Sequence, residues 1–175
     1  LSNDLAGLGG SEHYLRTTVD GGYYYPLAEE VVAGVSGKVG YIFGIDDQVR
    51  INDRYFLGGD NLRGFETRGA GPRDSLTGDA LGGNTFAKGT VEVTFPFWGV
   101  PKEFGLSGAV FSDIGLLTGA EDSGSQLLDE SSLRASAGVG VAWRSPAGPF
   151  TVDLAWPLLK EDFDKTEVFR FSFGT

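Results

Sequence analysis

The chain has 175 residues, enough for one domain with its own buried surface. Its net charge of -10 argues against a protein that tracks nucleic-acid phosphates, and a single His cannot build a multi-histidine metal site. The absence of Cys excludes disulfides and thiolate metal sites and makes cysteine usage silent on redox compartment.

Glycine is abundant at 28 residues, beside 13 Phe, 6 Tyr and 3 Trp. No run of about 18 apolar residues exists, which excludes a spanning helix. A transmembrane barrel strand needs only about 9 to 11 residues of alternating character, so a membrane location stays open. The chain begins at Leu1 without Met, signal peptide or basic targeting segment, and it reads as a mature piece.

Residues 1–12 read as a turn or tail, and His13 after them is assigned no chemistry. Segment 14–27 alternates as a strand, with Leu15, Thr17, Val19 and Tyr23 on one face and Arg16, Thr18, Asp20 and Tyr24 on the other. It ends in the aromatic cluster YYYP. Segment 31–43 repeats the pattern, with Val35, Val39 and Tyr41 opposite Ser36 and Lys38. Segment 48–56 is expected as a third strand, with Val49, Ile51 and Tyr55 on one face.

The connection 57–85 follows. Its first part, with the residue before it, reads FLGGDNLRGFETRGAGPR and is too glycine-rich and too charged for a strand interior. Gly58, Gly59, Gly71, Pro72 and Arg73 punctuate it, and Arg63 precedes Gly64 and Phe65. A loop of roughly 25 to 30 residues between short strands is usually functional or disordered.

Beyond it, 86–95 places Ala87, Val91, Val93 and Phe95 opposite Lys88, Thr90, Glu92 and Thr94. FPFWGVP is an aromatic-proline turn. Segment 104–113 sets Leu106, Gly108 and Val110 against Ser107, Ala109, Phe111 and Asp113. Residues 118–132 form an acidic loop. Segment 133–144 has the clearest period of two, with Leu133, Ala135, Ala137, Val139, Val141 and Trp143 opposite Arg134, Ser136, Gly138, Gly140 and Arg144. SPAGP is a tight turn. Segment 150–156 follows, then the loop LLKEDFDKTE. Segment 168–174 closes with Phe169, Phe171 and Phe173 outward and Arg170, Ser172 and Gly174 inward. This makes about eight consecutive strands and no convincing 3.6-residue periodicity.

Two all-β readings compete. A soluble sandwich buries the apolar faces, whereas a transmembrane barrel turns them to lipid. Three features favour the membrane. Aromatics cluster at strand ends, where interfacial girdles belong. The polar faces mix glycine with charge, which suits a crowded lumen. Short Pro/Gly turns alternate with longer polar loops.

RGF at residues 63–65 followed by GPR at 71–73, FSDIG at 111–115, WRSPAGP at 143–149 and FRFSFG at 169–174 together resemble the BamA family of outer-membrane protein assembly factors of Gram-negative bacteria. The resemblance runs over essentially the whole chain. It implies the last eight strands of a sixteen-stranded antiparallel barrel, without the first half and without the periplasmic POTRA domains. It further implies that the RGF loop folds into the lumen, with Arg63 pairing with Glu92 and Asp113. Both acids already lie on the polar faces read from the alternation. The last strand is implied to carry the family's β-signal and the edge of a lateral gate, with Gly174 as its kink. No cofactor is implied. The implied partners are client outer-membrane proteins, outer-membrane lipids and assembly lipoproteins acting through the POTRA domains, with a homodimer of the eight-stranded piece as a further expectation.

Other readings stand beside it. One is a TamA-type or two-partner-secretion transporter of the same superfamily, and another is a passive eight-stranded barrel. A third, an enzyme using Glu92 and Asp113 as an acid-base pair, ranks low because no nucleophile-base-orienter set is visible.

Overall fold

The computed structural model describes residues 2–6, 14–45, 49–97, 99–120, 127–146 and 148–174. Eight strands make one sheet: β1 (Ser2–Ala6), β2 (Tyr14–Ala28), β3 (Val31–Gly44), β4 (Thr85–Pro96), β5 (Leu106–Thr118), β6 (Arg134–Ser145), β7 (Gly148–Leu159) and β8 (Phe169–Phe173). Every strand pairs antiparallel with the one before it, so spatial order equals chain order. The fold is therefore an all-β antiparallel meander. Among the described residues no ladder joins β1 to β8.

β2 to β7 run 12 to 15 residues each. That is about twice the usual globular strand and long enough to cross a bilayer core. The distribution of burial decides which way the faces point. Val35, Val39, Tyr41, Val91, Val110, Val139, Trp156, Phe169, Phe171 and Phe173 are all exposed. The opposite face holds buried Phe86, Phe111, Asp113, Leu117, Arg134, Ser136, Asp153 and Ala155. A soluble sandwich would bury the first set. Here a broad apolar surface lies open, as an outer barrel wall in lipid requires.

The buried core lies between the inner wall and the long connection. Leu57, Leu62 and Phe65 are each 0% exposed and pack with Ile42, Tyr55, Phe86 and Leu117. The chain thus supplies its own plug for the polar face.

The structure departs from the sequence expectation at two places that offset each other in the strand count. Segment 48–56 is not a strand where described. Ile51–Asp53 is a 3-10 turn, closed by Asp53 N–H to Arg50 O and Arg54 N–H to Ile51 O. Val49 and Tyr55 do lie buried, but through folding of this stretch onto the inner face. Tyr55 stacks on Phe86 with ring centroids 5.3 Å apart, and its hydroxyl meets Thr18 Oγ1 at 2.6 Å. Alternating apolar residues leave the same period-two trace whether a ladder or a plug buries them. The missing eighth strand is β1, in a stretch read as a turn or tail. Its five residues pair with Tyr14–Thr18 of β2.

Smaller adjustments follow the ladders. β5 continues to Thr118 because its partner β4 continues back to Thr85. β7 begins at Gly148 and extends to Leu159 through a register shift between Pro157 and Leu159. His13, Gln48, Trp98, residues 121–126, Ala147 and Thr175 lie outside the described residues.

Candidate functional site

The connection 57–85 folds back on itself through isolated bridges such as Leu57 with Ala70 and Arg73 with Ala80, on backbone geometry that glycine allows. Gly58, Gly59, Gly64 and Gly71 have φ of 118°, 67°, 92° and 109°. Asn61 crosses the turn, its Oδ1 accepting from Gly58 N–H at 2.9 Å and its Nδ2 donating to Phe56 O at 3.0 Å. Gly59 N–H donates to Phe65 O, and Ala70 N–H to Leu57 O. A Cβ on Gly58 would stand 2.2 Å from the Glu66 backbone oxygen. Gly58→Ala is therefore expected to destabilise the loop by on the order of 1–3 kcal/mol, since φ and space both forbid the methyl. A lowered urea midpoint for the loop's protease protection measures it, and an unchanged midpoint contradicts it.

This geometry carries Arg63 to the inner wall. Nε donates to Asp113 Oδ2 at 2.7 Å, Nη2 to Asp113 Oδ1 at 3.0 Å and Nη1 to Glu92 Oε2 at 2.8 Å. The Arg63 backbone N–H also reaches Asp113 Oδ2, at 3.3 Å. The pair with Asp113 is bidentate, a planar match that Lys cannot reproduce. The guanidinium also lies over the Phe111 ring, 3.3 Å from its centroid. Phe111 and Asp113 share a face of β5 because they are two residues apart. Glu92 comes from neighbouring β4, where it stands opposite Phe111. One cation is thus held by two acids and an aromatic face from adjacent strands.

Gly64 and Phe65 complete the motif by pairing as a short antiparallel bridge with Glu167 and Thr166. A Cβ on Gly64 would stand 3.0 Å from Ser136 Cβ, so the motif lies directly on β6. In the GPR segment, Gly71 packs against Leu117 and Pro72 is buried. Arg73 turns back into the loop, donating to Gly78 O at 2.8 Å and Arg68 O at 2.7 Å. Burial draws its pKa below the ordinary arginine value, and the guanidinium stays charged at physiological pH. Arg73 therefore shapes the loop and does not join the Arg63 cluster.

Phe169, Phe171 and Phe173 face outward from β8, and Phe171 and Phe173 contact the Phe150 ring on β7. Gly174 has φ of 66°, and its N–H donates to Pro149 O at 3.0 Å. It lies beyond the end of β8, where a residue without a Cβ accepts the bend at no steric cost.

A second ion pair lay beyond the reach of the sequence reading. Arg134, at the start of β6, is 0% exposed. Its Nε donates to Asp164 Oδ2 at 3.0 Å and its Nη2 to Asp164 Oδ1 at 3.4 Å, while Nη1 donates to Glu130 O and Ser132 O. Asp164 in turn accepts from Gly71 N–H at 3.3 Å and Glu161 N–H at 2.8 Å. The pair joins three connections: 119–133, 160–168 and the GPR segment. The usable signal is an arginine at the start of a face that continues with Ser136, Gly138 and Gly140. Its partner could not be singled out from an acidic loop that also offers Glu161, Asp162 and Glu167.

The Omp85 superfamily domain matches residues 1–175. The chain belongs to the Omp85 superfamily. It is 39% identical over 173 residues to an outer membrane protein assembly factor BamA of Neorickettsia risticii, covering 98% of this chain and 23% of that protein. It is 27% identical to the BamA of Nitratidesulfovibrio vulgaris, covering 98% of this chain and 22% of that protein. To the BamA of Neisseria meningitidis serogroup B it is 26% identical, covering 100% and 25%. The chain thus spans about a quarter of the length of these curated relatives. In fold it is similar to the crystal structure of BamA from Haemophilus ducreyi lacking POTRA domains 1-3, with a TM-score of 0.84 and 24% identity over 95% of this chain and 36% of that one. The meander is accordingly the fold of part of an Omp85 barrel, and its location is the bacterial outer membrane.

Proposed function

We propose that these residues form the later part of the barrel of an outer-membrane protein assembly factor, which folds and inserts client β-barrels without covalent chemistry. The observation that carries this reading is the Arg63 fork on Asp113 and Glu92, which holds a long loop against the inner face of the sheet beside the last strand. A passive pore does not need a guanidinium clamped by two strands. A machine that must keep one seam weak needs its remaining wall braced.

β8 ends the sheet, and its outer backbone edge has no partner among the described residues. Unpaired N–H and C=O groups template addition of a further strand. On this reading β8 is the lateral edge that meets either the first barrel strand of the full-length protein or a client strand. Clients are outer-membrane proteins, and the lipid around β8 is part of the working surface. Accessory lipoproteins engage through periplasmic domains outside this chain.

The test is reconstitution of the native full-length protein into lipid vesicles, followed by addition of a urea-unfolded client barrel. Folded client, read by heat-modifiable gel mobility, is expected to appear faster than in protein-free vesicles. Equal rates would overturn the reading.

A further inference from the structure

Arg170 is the one inward cation of the last strand, and its choice of partners is informative. Asp153 stands directly opposite it in the β7–β8 ladder. Opposed side chains on one face of an antiparallel pair are close enough to bond. Yet the Arg170 guanidinium turns to the loop side. Nη1 donates to Asp60 Oδ1 at 3.3 Å, and Nη2 donates to Glu167 and reaches Phe65 O at 3.5 Å. Ser172, the next inward residue of β8, has its Oγ 3.5 Å from the same Asp60 oxygen. Asp60 lies three residues before Arg63, in the turn that Gly58 and Gly59 shape. Phe65 and Gly64 are bridged to Thr166 and Glu167, immediately before β8. The lumenal loop therefore grips the last strand by backbone and by side chain, over the same few residues that carry Arg63.

We propose that Asp60 and Arg170 form a clasp that couples the last strand to the Arg63 loop, so that release of the loop from Asp113 and Glu92 loosens β8 against β7. Asp60 and Arg170 are positioning residues, acting on the availability of the edge and not on a client directly. Once the loop departs, Arg170 keeps Glu167 and faces Asp153 across the ladder. The inference rests on the loop being lumenal and β8 being the working edge, as proposed above.

The experiment is hydrogen exchange of segment 169–173 in the native full-length protein in lipid, read by mass spectrometry, with no client present. Asp60→Asn and Arg170→Gln are each expected to speed exchange there by about 2- to 5-fold, the scale of one largely exposed ion pair. The double variant is expected to equal Arg170→Gln alone, because Arg170→Gln already removes the Asp60 contact together with those to Glu167 and Phe65 O. Arg63→Ala is expected to speed exchange at 169–173 as well, and that increment is expected to vanish in the Asp60→Asn background. The Asp60 side chain is 79% exposed, so Asp60→Asn leaves the fold intact and keeps the test decisive. Effects of Asp60→Asn and Arg170→Gln that add, or an Arg63→Ala variant with a released loop and unchanged exchange at β8, would overturn the clasp. Because no client enters this measurement, its failure leaves the assembly reading standing, and a failed client assay leaves the clasp standing.

Discussion

Arg63→Ala is expected to free the loop 57–85 from the inner face while the outer wall stays folded. The substitution removes three side-chain hydrogen bonds and leaves Asp113, 2% exposed, without its cation. Stranding one member of a buried pair costs about 3–5 kcal/mol in a dry interior. The lower end applies here, because the Glu92 side chain is 32% exposed and water reaches the cluster. On the order of 3 kcal/mol converts to roughly a hundredfold rise in the open population of the loop. Limited proteolysis within 57–85 measures it. Arg63→Lys is expected to recover only a minor part, since an ammonium cannot span both Asp113 oxygens and Glu92 together. Wild-type loop protection in Arg63→Ala would show that the apolar contacts of Leu57, Leu62 and Phe65 suffice alone.

The second large effect is expected at Arg134 and Asp164. Both side chains are dry, at 1% and 0% exposure. Arg134→Met leaves a buried carboxylate unpaired, and Asp164→Asn leaves a buried guanidinium under-satisfied, at about 3–5 kcal/mol each. Replacing both members of such a pair by apolar residues often restores stability. That rescue is expected to fail here. Asp164 also receives the Gly71 and Glu161 amides, which the double replacement orphans at about 1–3 kcal/mol apiece. The urea midpoint of heat-modifiable mobility is therefore expected to fall in both single variants and to stay low in Arg134→Met/Asp164→Leu. A return to the wild-type midpoint would reduce the site to simple charge compensation.

Much of this architecture could be read from alternation alone, and the reason is physical. A strand with lipid on one side and a polar lumen on the other must change character at every residue. β3 and β6 therefore announce themselves, with Val35, Val39, Val139 and Val141 on one face and Lys38, Ser136 and Gly138 on the other. Glu92 and Asp113 could be placed on the inner, polar face by the same parity. The pairing of Arg63 with them could not, because it depends on a loop crossing 29 residues to one acid and 50 to the other.

What escaped the alternation follows the same logic. Val49 and Tyr55 mimic a strand because a plug also needs apolar residues at intervals. β1 is short and lies in LSNDLA, where alternation is weak over so few residues, so only its ladder with β2 reveals it. Arg134–Asp164 and Asp60–Arg170 join residues 30 and 110 apart through folded loops, and no spacing rule selects those partners.

The most direct test of the account is the rate at which an unfolded client barrel folds into vesicles holding the native full-length protein, wild type against Arg63→Ala. Both proteins must show the folded, heat-modifiable form. The account predicts that Arg63→Ala keeps its own fold, exposes the loop to protease and loses most of the acceleration of client folding. An Arg63→Ala protein with a protease-exposed loop and the wild-type client rate would contradict it.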